Sequence, residues 1–208
     1  MTTASDNTAS GFYISNSYNR VKGNAAVGGF AGYHFPVFDT PIGLHRDVAM
    51  VPRDKPTLEF DGNSCRSSGW WWGNAGCLYA GGLFAYVNDD DHELDDAEGG
   101  AGVMLYNPGR GTMLGTCAVD TAAYGGSCPW YAATDVRTED RPVGCKTWQR
   151  FTNFKASLCN IGLMHWGARA QIEKFEAHDI IGGPATQLFG EASVRHVTSI
   201  STIRDCNP

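Results

Sequence analysis

The sequence predicts an all-β solenoid, in which short strands wind into coils that stack on one another. Three observations point there. Short apolar runs alternate with polar residues, and no segment carries the period of an amphipathic helix. Glycine is abundant, at 26 of 208 residues, while charged residues make up only 18 %, a balance suited to strands joined by tight turns. Finally, one local pattern returns along the chain, the mark of a repeat architecture whose units bury their apolar sides only by stacking.

Residues 1–10 form a polar lead or linker, without the basic and apolar regions of a signal peptide. Residues 11–35 read as a first coil, with a turn at Val21-Lys22-Gly23-Asn24 and a strand at Gly32-Tyr33-His34-Phe35. Phe60-Asp61-Gly62-Asn63 repeats that turn, so residues 11–85 are assigned to coils. Prolines 36, 41, 52 and 56 interrupt them with a loop over 36–56, since proline cannot donate to a sheet ladder. Residues 86–146 are a long excursion containing Cys117, Cys128 and Cys145. Residues 147–208 return to coils, with copies starting at Phe154, Phe175 and Val197, 21 and 22 residues apart. This alignment makes Asn24, Asn63, Ser157 and His178 the recurrent turn positions. An ordinary β-sandwich with glycine-rich turns is the competing architecture. The polar start and the uncapped end at Asp205-Cys206-Asn207-Pro208 read as a portion of a longer protein.

A formal net charge of −6, with no basic stretch, argues against a nucleic-acid binder. No apolar run is long enough to span a membrane as a helix. None of the seven cysteines sits in a CxxC pair or at zinc-finger spacing. Disulfides among Cys65, Cys77, Cys117, Cys128, Cys145 and Cys159 are therefore expected to staple the excursion, with connectivity open. The odd count leaves one thiol free or paired outside the chain.

Trp70-Trp71-Trp72 is the most conspicuous local feature. Alternation along a strand sends Trp71 one way and its neighbours the other, so part of this surface lies outside the coil. Packing beneath the excursion is the expected role, and stacking on sugar rings is the functional alternative. The run Asn88-Asp89-Asp90-Asp91-His92-Glu93-Leu94-Asp95-Asp96 offers carboxylate oxygens that suit Ca²⁺, but lacks the glycine and glutamate placement of an EF-hand loop. A solvated acidic loop is expected there, and no cofactor. Glu173, Glu176 and Asp179 lie on adjacent coil positions, and stacking could bring Asp61 or Asp205 near them as carboxyls for glycoside hydrolysis. Any β coil sets some acids side by side, so no catalytic residue is assigned. His34, His165, His178 and His196 are expected to be structural, and no metal set is assigned.

The residues Gly11-Phe12-Tyr13-Ile14, Asn19-Arg20-Val21-Lys22-Gly23-Asn24-Ala25-Ala26-Val27-Gly28-Gly29 and Gly32-Tyr33-His34-Phe35 carry a resemblance. They resemble the carboxy-terminal β-helix region of the family that includes fibrocystin, fibrocystin-like protein, transmembrane protein 2 and the cell migration-inducing hyaluronan-binding protein. The similarity covers residues 11–35, 58–83 and 151–203, and the cysteine-containing excursion departs from it. The resemblance implies a right-handed parallel β-helix in a large extracellular or ciliary-surface glycoprotein. Two members are linked to hyaluronan cleavage, but none of their catalytic machinery matches here. The expected function is a non-catalytic structural module for assembly or adhesion, with other copies or segments of the same surface assembly as partners. A fragment of a polysaccharide-active enzyme and a glycan-binding module are the alternatives.

Overall fold

Three stacks of parallel strands organise the chain. The computed structural model describes residues 2–3, 9–38, 41, 43–45, 47–49, 52, 57–69, 75–87, 94–95, 103–107 and 149–202. They hold β1 (Thr2–Thr3), β2 (Phe12–Tyr13), β3 (Arg20–Lys22), β4 (Ala25–Val27), β5 (Tyr33–Val37), β6 (Glu59–Asp61) and β7 (Ser64–Arg66). After these come β8 (Gly76–Val87), β9 (Leu94–Asp95), β10 (Val103–Asn107), β11 (Gln149–Ser157), β12 (Ile161–His178) and β13 (Thr186–Ile200). A 3₁₀ turn spans Gly43–His45, and no α-helix occurs among the described residues.

Each stack is five strands deep. The first aligns Phe12, Tyr33, Leu78, Leu163 and Thr186. The second aligns Lys22, Asp61, Thr152, Glu173 and Arg195. The third aligns Ala26, Cys65, Ala156, Ala177 and Ser199. The chain visits the three stacks in the same order in every tier. The all-β, parallel character expected from the sequence is therefore present.

The tiers turn at two corners through left-handed backbone. Between the second and third stacks the column reads Gly23, Gly62, Asn153, Lys174 and His196, with φ of 64°, 65°, 50°, 57° and 54°. After the third stack it reads Gly28, Ser67, Leu158 and Asp179, with φ of 77°, 57°, 51° and 51°. Hydrogen bonds run down the second column, from Gly28 N to Arg66 O, Ser67 N to Ser157 O, Leu158 N to His178 O and Asp179 N to Ile200 O. Glycine enters this region freely and asparagine and aspartate tolerate it, whereas a residue such as Leu158 or Lys174 costs about 1 kcal/mol or more. That cost is borne because the bend keeps every neighbouring strand in register.

The core fills the space between the stacks. Small side chains on the third stack (Ala26, Ala156, Ala177) leave room for large ones from the other two. Tyr33 crosses the core and donates its hydroxyl to Ser64 O at 3.2 Å. Its ring stacks on Phe12, with centroids 4.9 Å apart, and meets Phe60 edge-on at 5.2 Å. Phe60 packs on Phe151 at 5.3 Å, and Phe154 stacks on Phe175 at 5.7 Å.

The register corrects the sequence alignment of the later copies. Phe154, Phe175 and Val197 do align with one another, as the spacing of 21 and 22 residues implies. However, Thr152 pairs with Asp61 and Lys155 with Ser64, so the turn equivalent to Phe60-Asp61-Gly62-Asn63 is Phe151-Thr152-Asn153-Phe154. Asn24 and Asn63 share the corner: Asn63 Oδ1 accepts from Asn24 N at 3.0 Å, and Asn63 Nδ2 donates to Val21 O at 2.8 Å. Ser157 and His178 pair with each other three residues further on, at the last positions of β11 and β12. The column that starts as two amides continues as two stacked phenyl rings, which conceals the repeat.

Both insertions leave at the same corner, between the first and second stacks. The proline-rich segment joins β5 to β6, and the excursion joins β8 to β11. The excursion begins as antiparallel sheet: Val103–Asn107 pairs with residues 83–87, β9 pairs with Tyr86 and Val87, and Thr2–Thr3 pairs with β10.

Two substitutions test this packing. Phe154→Ala should cost about 3–5 kcal/mol in urea unfolding, because its neighbours cannot collapse into the cavity. Lys174→Gly should instead stabilise by roughly 0.5 kcal/mol, since glycine relieves the left-handed strain but adds unfolded-state entropy.

Candidate functional site

The corner from which both insertions depart carries the candidate site. A buried polar chain crosses its interior: Gln149 Nε2 donates to Ser17 Oγ at 3.0 Å, and His165 Nε2 donates to Gln149 Oε1. All three residues are buried. Because a carboxamide oxygen only accepts, this contact fixes the proton on His165 Nε2. Burial lowers the pKa of His165 to about 4, so the ring is neutral. The chain ties the first residue of β11 to the first and fourth tiers, which sets the point where the excursion rejoins the stack.

Outside, a groove of about 290 Å³ runs over the second stack, lined by Thr57, Leu58, Glu59, Phe60, Asp61, Arg150 and Thr152. Alternation along β3, β6 and β11 turns Val21, Phe60 and Phe151 inward and leaves the charges outside. Glu59 receives Lys22 at 3.0 Å and Arg20 at 3.3 Å. Asp61 accepts from Thr152 Oγ1 at 2.6 Å and Asn153 Nδ2 at 2.5 Å, with Lys22 Nζ at 3.9 Å. The Thr152 and Asn153 hydrogen bonds hold the Asp61 carboxyl below its ordinary pKa. A general acid needs the opposite shift. In its place the groove offers fixed donors and acceptors suited to hydroxyl groups. Beside it, a pocket of about 270 Å³ is lined by Ser15, Asn16, Phe38, Pro41, His45, Val48 and Pro52.

The suggested hydrolytic carboxyls do not converge. Glu173 lies on the second stack and pairs with Arg150 at 3.3 Å. Glu176 is on the third stack with Lys155 at 2.9 Å, and Asp179 sits at the next corner, accepting from Thr202 Oγ1 at 2.8 Å. The histidines form no ladder either. His34 belongs to β5, His165 to the first-stack part of β12, His178 ends β12, and His196 is a left-handed corner. Among the described residues no group of three His, Cys, Asp or Glu is placed to hold a metal.

Cys65 and Cys77 form a disulfide between β7 and β8, with Cα atoms 5.4 Å apart. Cys159, expected among the staples, is instead a free thiol buried in the core, its pKa pushed up to about 12 by burial. It is therefore a weak nucleophile. Cys117, Cys128, Cys145, Cys206, Asp205 and Trp70-Trp71-Trp72 lie outside the described residues, as does all of the acidic run except Leu94 and Asp95.

Sequence reading missed the outer face of the first stack. His34, Tyr79 and Met164 point away from the core yet are fully buried, against Phe30, Ala75 and Ile161, with Trp166 packed on this cluster. The Phe30 ring lies 5.1 Å from His34 and 5.2 Å from Tyr79. The signal was in Tyr33-His34-Phe35-Pro36-Val37, which is buried throughout and does not alternate, as in a strand covered on both faces.

Residues 1–71 match the family model described as CEMIP beta-helix, in agreement with the resemblance read from residues 11–35 and 58–83. The chain is 36 % identical to Protein rliB of Dictyostelium discoideum over 192 residues, 92 % of this chain and 14 % of that protein. It is 33 % identical to a G8 domain-containing protein of the same organism over 192 residues, 92 % of this chain and 11 % of that protein. It is also 34 % identical to that organism's Communication mutant protein F over 179 residues, 86 % of this chain and 13 % of that protein. The chain thus spans 14 % or less of the length of these relatives. No solved structure matches the chain.

Two titrations follow from the site. His34, lowered to about 3, and His165, lowered to about 4, stay neutral when folded and take up protons when unfolded below about 6.5. Their stability contribution is complete above pH 6.5 and falls as pH drops towards 4, by about 2 kcal/mol each at pH 5. Urea unfolding at pH 7 and pH 5 measures it. Asp61 contributes above its unfolded pKa and loses that contribution as pH falls through its lower folded value. Thr152→Val should raise the Asp61 midpoint seen by NMR.

Proposed function

We propose that this chain, whose residues 1–71 match the CEMIP beta-helix family model, is a rigid segment of a right-handed parallel β-helix in a larger extracellular or cell-surface protein. Its role is structural: it holds a fixed surface for assembly or adhesion and catalyses no reaction. The carrying observation is the register itself. Thr152 meets Asp61 across 91 residues of sequence, and the same three columns resume beyond the excursion. A fold that keeps its stacking through so long an interruption suits a scaffold that displays loops at one corner. The Cys65–Cys77 disulfide supports an oxidising compartment. The dispersal of Glu173, Glu176 and Asp179, each engaged by its own cation or hydroxyl, supports a non-catalytic role.

One observation favours glycan contact as a second activity of the same scaffold. The groove at Glu59, Asp61, Arg150 and Thr152 is polar, open and close to the ends of both insertions. In this reading it holds sugar hydroxyls without cleaving the bond between sugars.

Hyaluronan of defined length, incubated with the chain across pH 4 to 7.5, should keep its size by light scattering. Progressive shortening would contradict the non-catalytic role. Weak retention on an immobilised glycan, lost in Arg150→Ala without a change in melting, would support the groove as the contact surface.

A further inference from the structure

The fifth tier ends the described stack with its core unfinished. Val194 aligns with Ile172 and Val197 with Phe175. Ile172 and Phe175 are completely buried, whereas Val194 is 44 % and Val197 38 % exposed. Among the described residues β13, a 15-residue strand, pairs with β12 alone, and no described strand lies on its other side.

Charge along the second stack follows an order. The rows begin with Arg20 and Lys22, which face Glu59 and Asp61; further down, Arg150 faces Glu173. Arg195 comes next, in register with Glu173. Charged neighbours between tiers thus alternate in sign, and the last described tier closes on a cation.

We propose that the open edge of β13 docks one further parallel β-strand with the pattern apolar–acidic–any–apolar. Its apolar residues cover Val194 and Val197, and its acid lies beside Arg195. Main-chain pairing supplies affinity, and the alternate side chains supply selectivity. The inference rests on the β-helix reading above and names the partner of that helix's open end. The chain itself contains a segment of this type, Ile172-Glu173-Lys174-Phe175, already seated on its own neighbour in the fourth tier. The first tier of a second copy fits badly. Val21-Lys22-Gly23-Asn24 in the same register sets Lys22 against Arg195 and an amide over Val197, so simple head-to-tail stacking of copies is disfavoured.

The test uses the full chain and a fluorescent synthetic peptide of residues 169–178, Arg-Ala-Gln-Ile-Glu-Lys-Phe-Glu-Ala-His. Anisotropy should show saturable binding, weakened about fivefold when the peptide carries Glu173→Lys. Arg195→Glu in the protein should reverse that preference, and Val197→Asp should abolish binding; unchanged melting curves establish that both variants remain folded. Absence of saturable binding, or equal binding of the two peptides, would overturn the proposal. So would binding that emerges only after residues 203–208 are deleted, because the chain's own end would then be the occupant. Hyaluronan shortening would count against the non-catalytic role and leave this docking surface standing, so the two readings fail separately.

Discussion

A parallel stack keeps its register only if the backbone bends at the same place in every tier, and here that bend is left-handed. Gly23, Gly62, Asn153, Lys174 and His196 form one column of such bends, and Gly28, Ser67, Leu158 and Asp179 another. Only three of these nine positions are glycine. The others hold an unfavourable conformation because a step out of the column would turn a whole strand's apolar side to solvent. Tier-to-tier hydrogen bonds at the corners, such as Leu158 N to His178 O and Asp179 N to Ile200 O, link each bend to the next. The packing of Phe60 on Phe151 and Phe154 on Phe175 follows from that alignment.

The same constraint explains where function can be displayed. Two corners are occupied by the left-handed columns, where an insertion would break the hydrogen-bonded ladder. The third corner, between the first and second stacks, is free of that requirement, and both insertions leave there. The buried chain Ser17–Gln149–His165 closes the core beneath the departing chain. The polar groove and its charge pairs lie just outside. Individually those exposed pairs contribute little to stability. Their larger consequence is order: they fix which residue faces which across tiers, and so the chemistry that an added strand must bring.

Much of this was legible in the sequence. The first two tiers declare themselves because Val21-Lys22-Gly23-Asn24 and Phe60-Asp61-Gly62-Asn63 keep both the corner glycine and the amide. The spacing of the last three tiers was also readable from Phe154, Phe175 and Val197. What sequence alone misplaced was the join between the two sets. The glycine of the first corner becomes Asn153, Lys174 and His196, and the amide becomes a phenyl ring, so composition favoured a frame three residues too late. The candidate site was less legible. Asp61 meets Thr152 and Asn153, and Gln149 meets Ser17, only through contacts that span most of the chain. The disulfide at Cys65 and Cys77 fell within the candidates, while Cys159 proved to be an ordinary buried core residue.

The frame of that join determines which residues share each column, and engineered disulfides test it directly. Residues paired across parallel strands bring their Cα atoms within disulfide reach, and a partner three residues along the strand lies beyond it. Under mild oxidation, Asp61→Cys with Thr152→Cys should form a cross-link identifiable by peptide mapping, while Asp61→Cys with Lys155→Cys should not. The reverse outcome, a bond to position 155 and none to position 152, would contradict the register and the columns built on it.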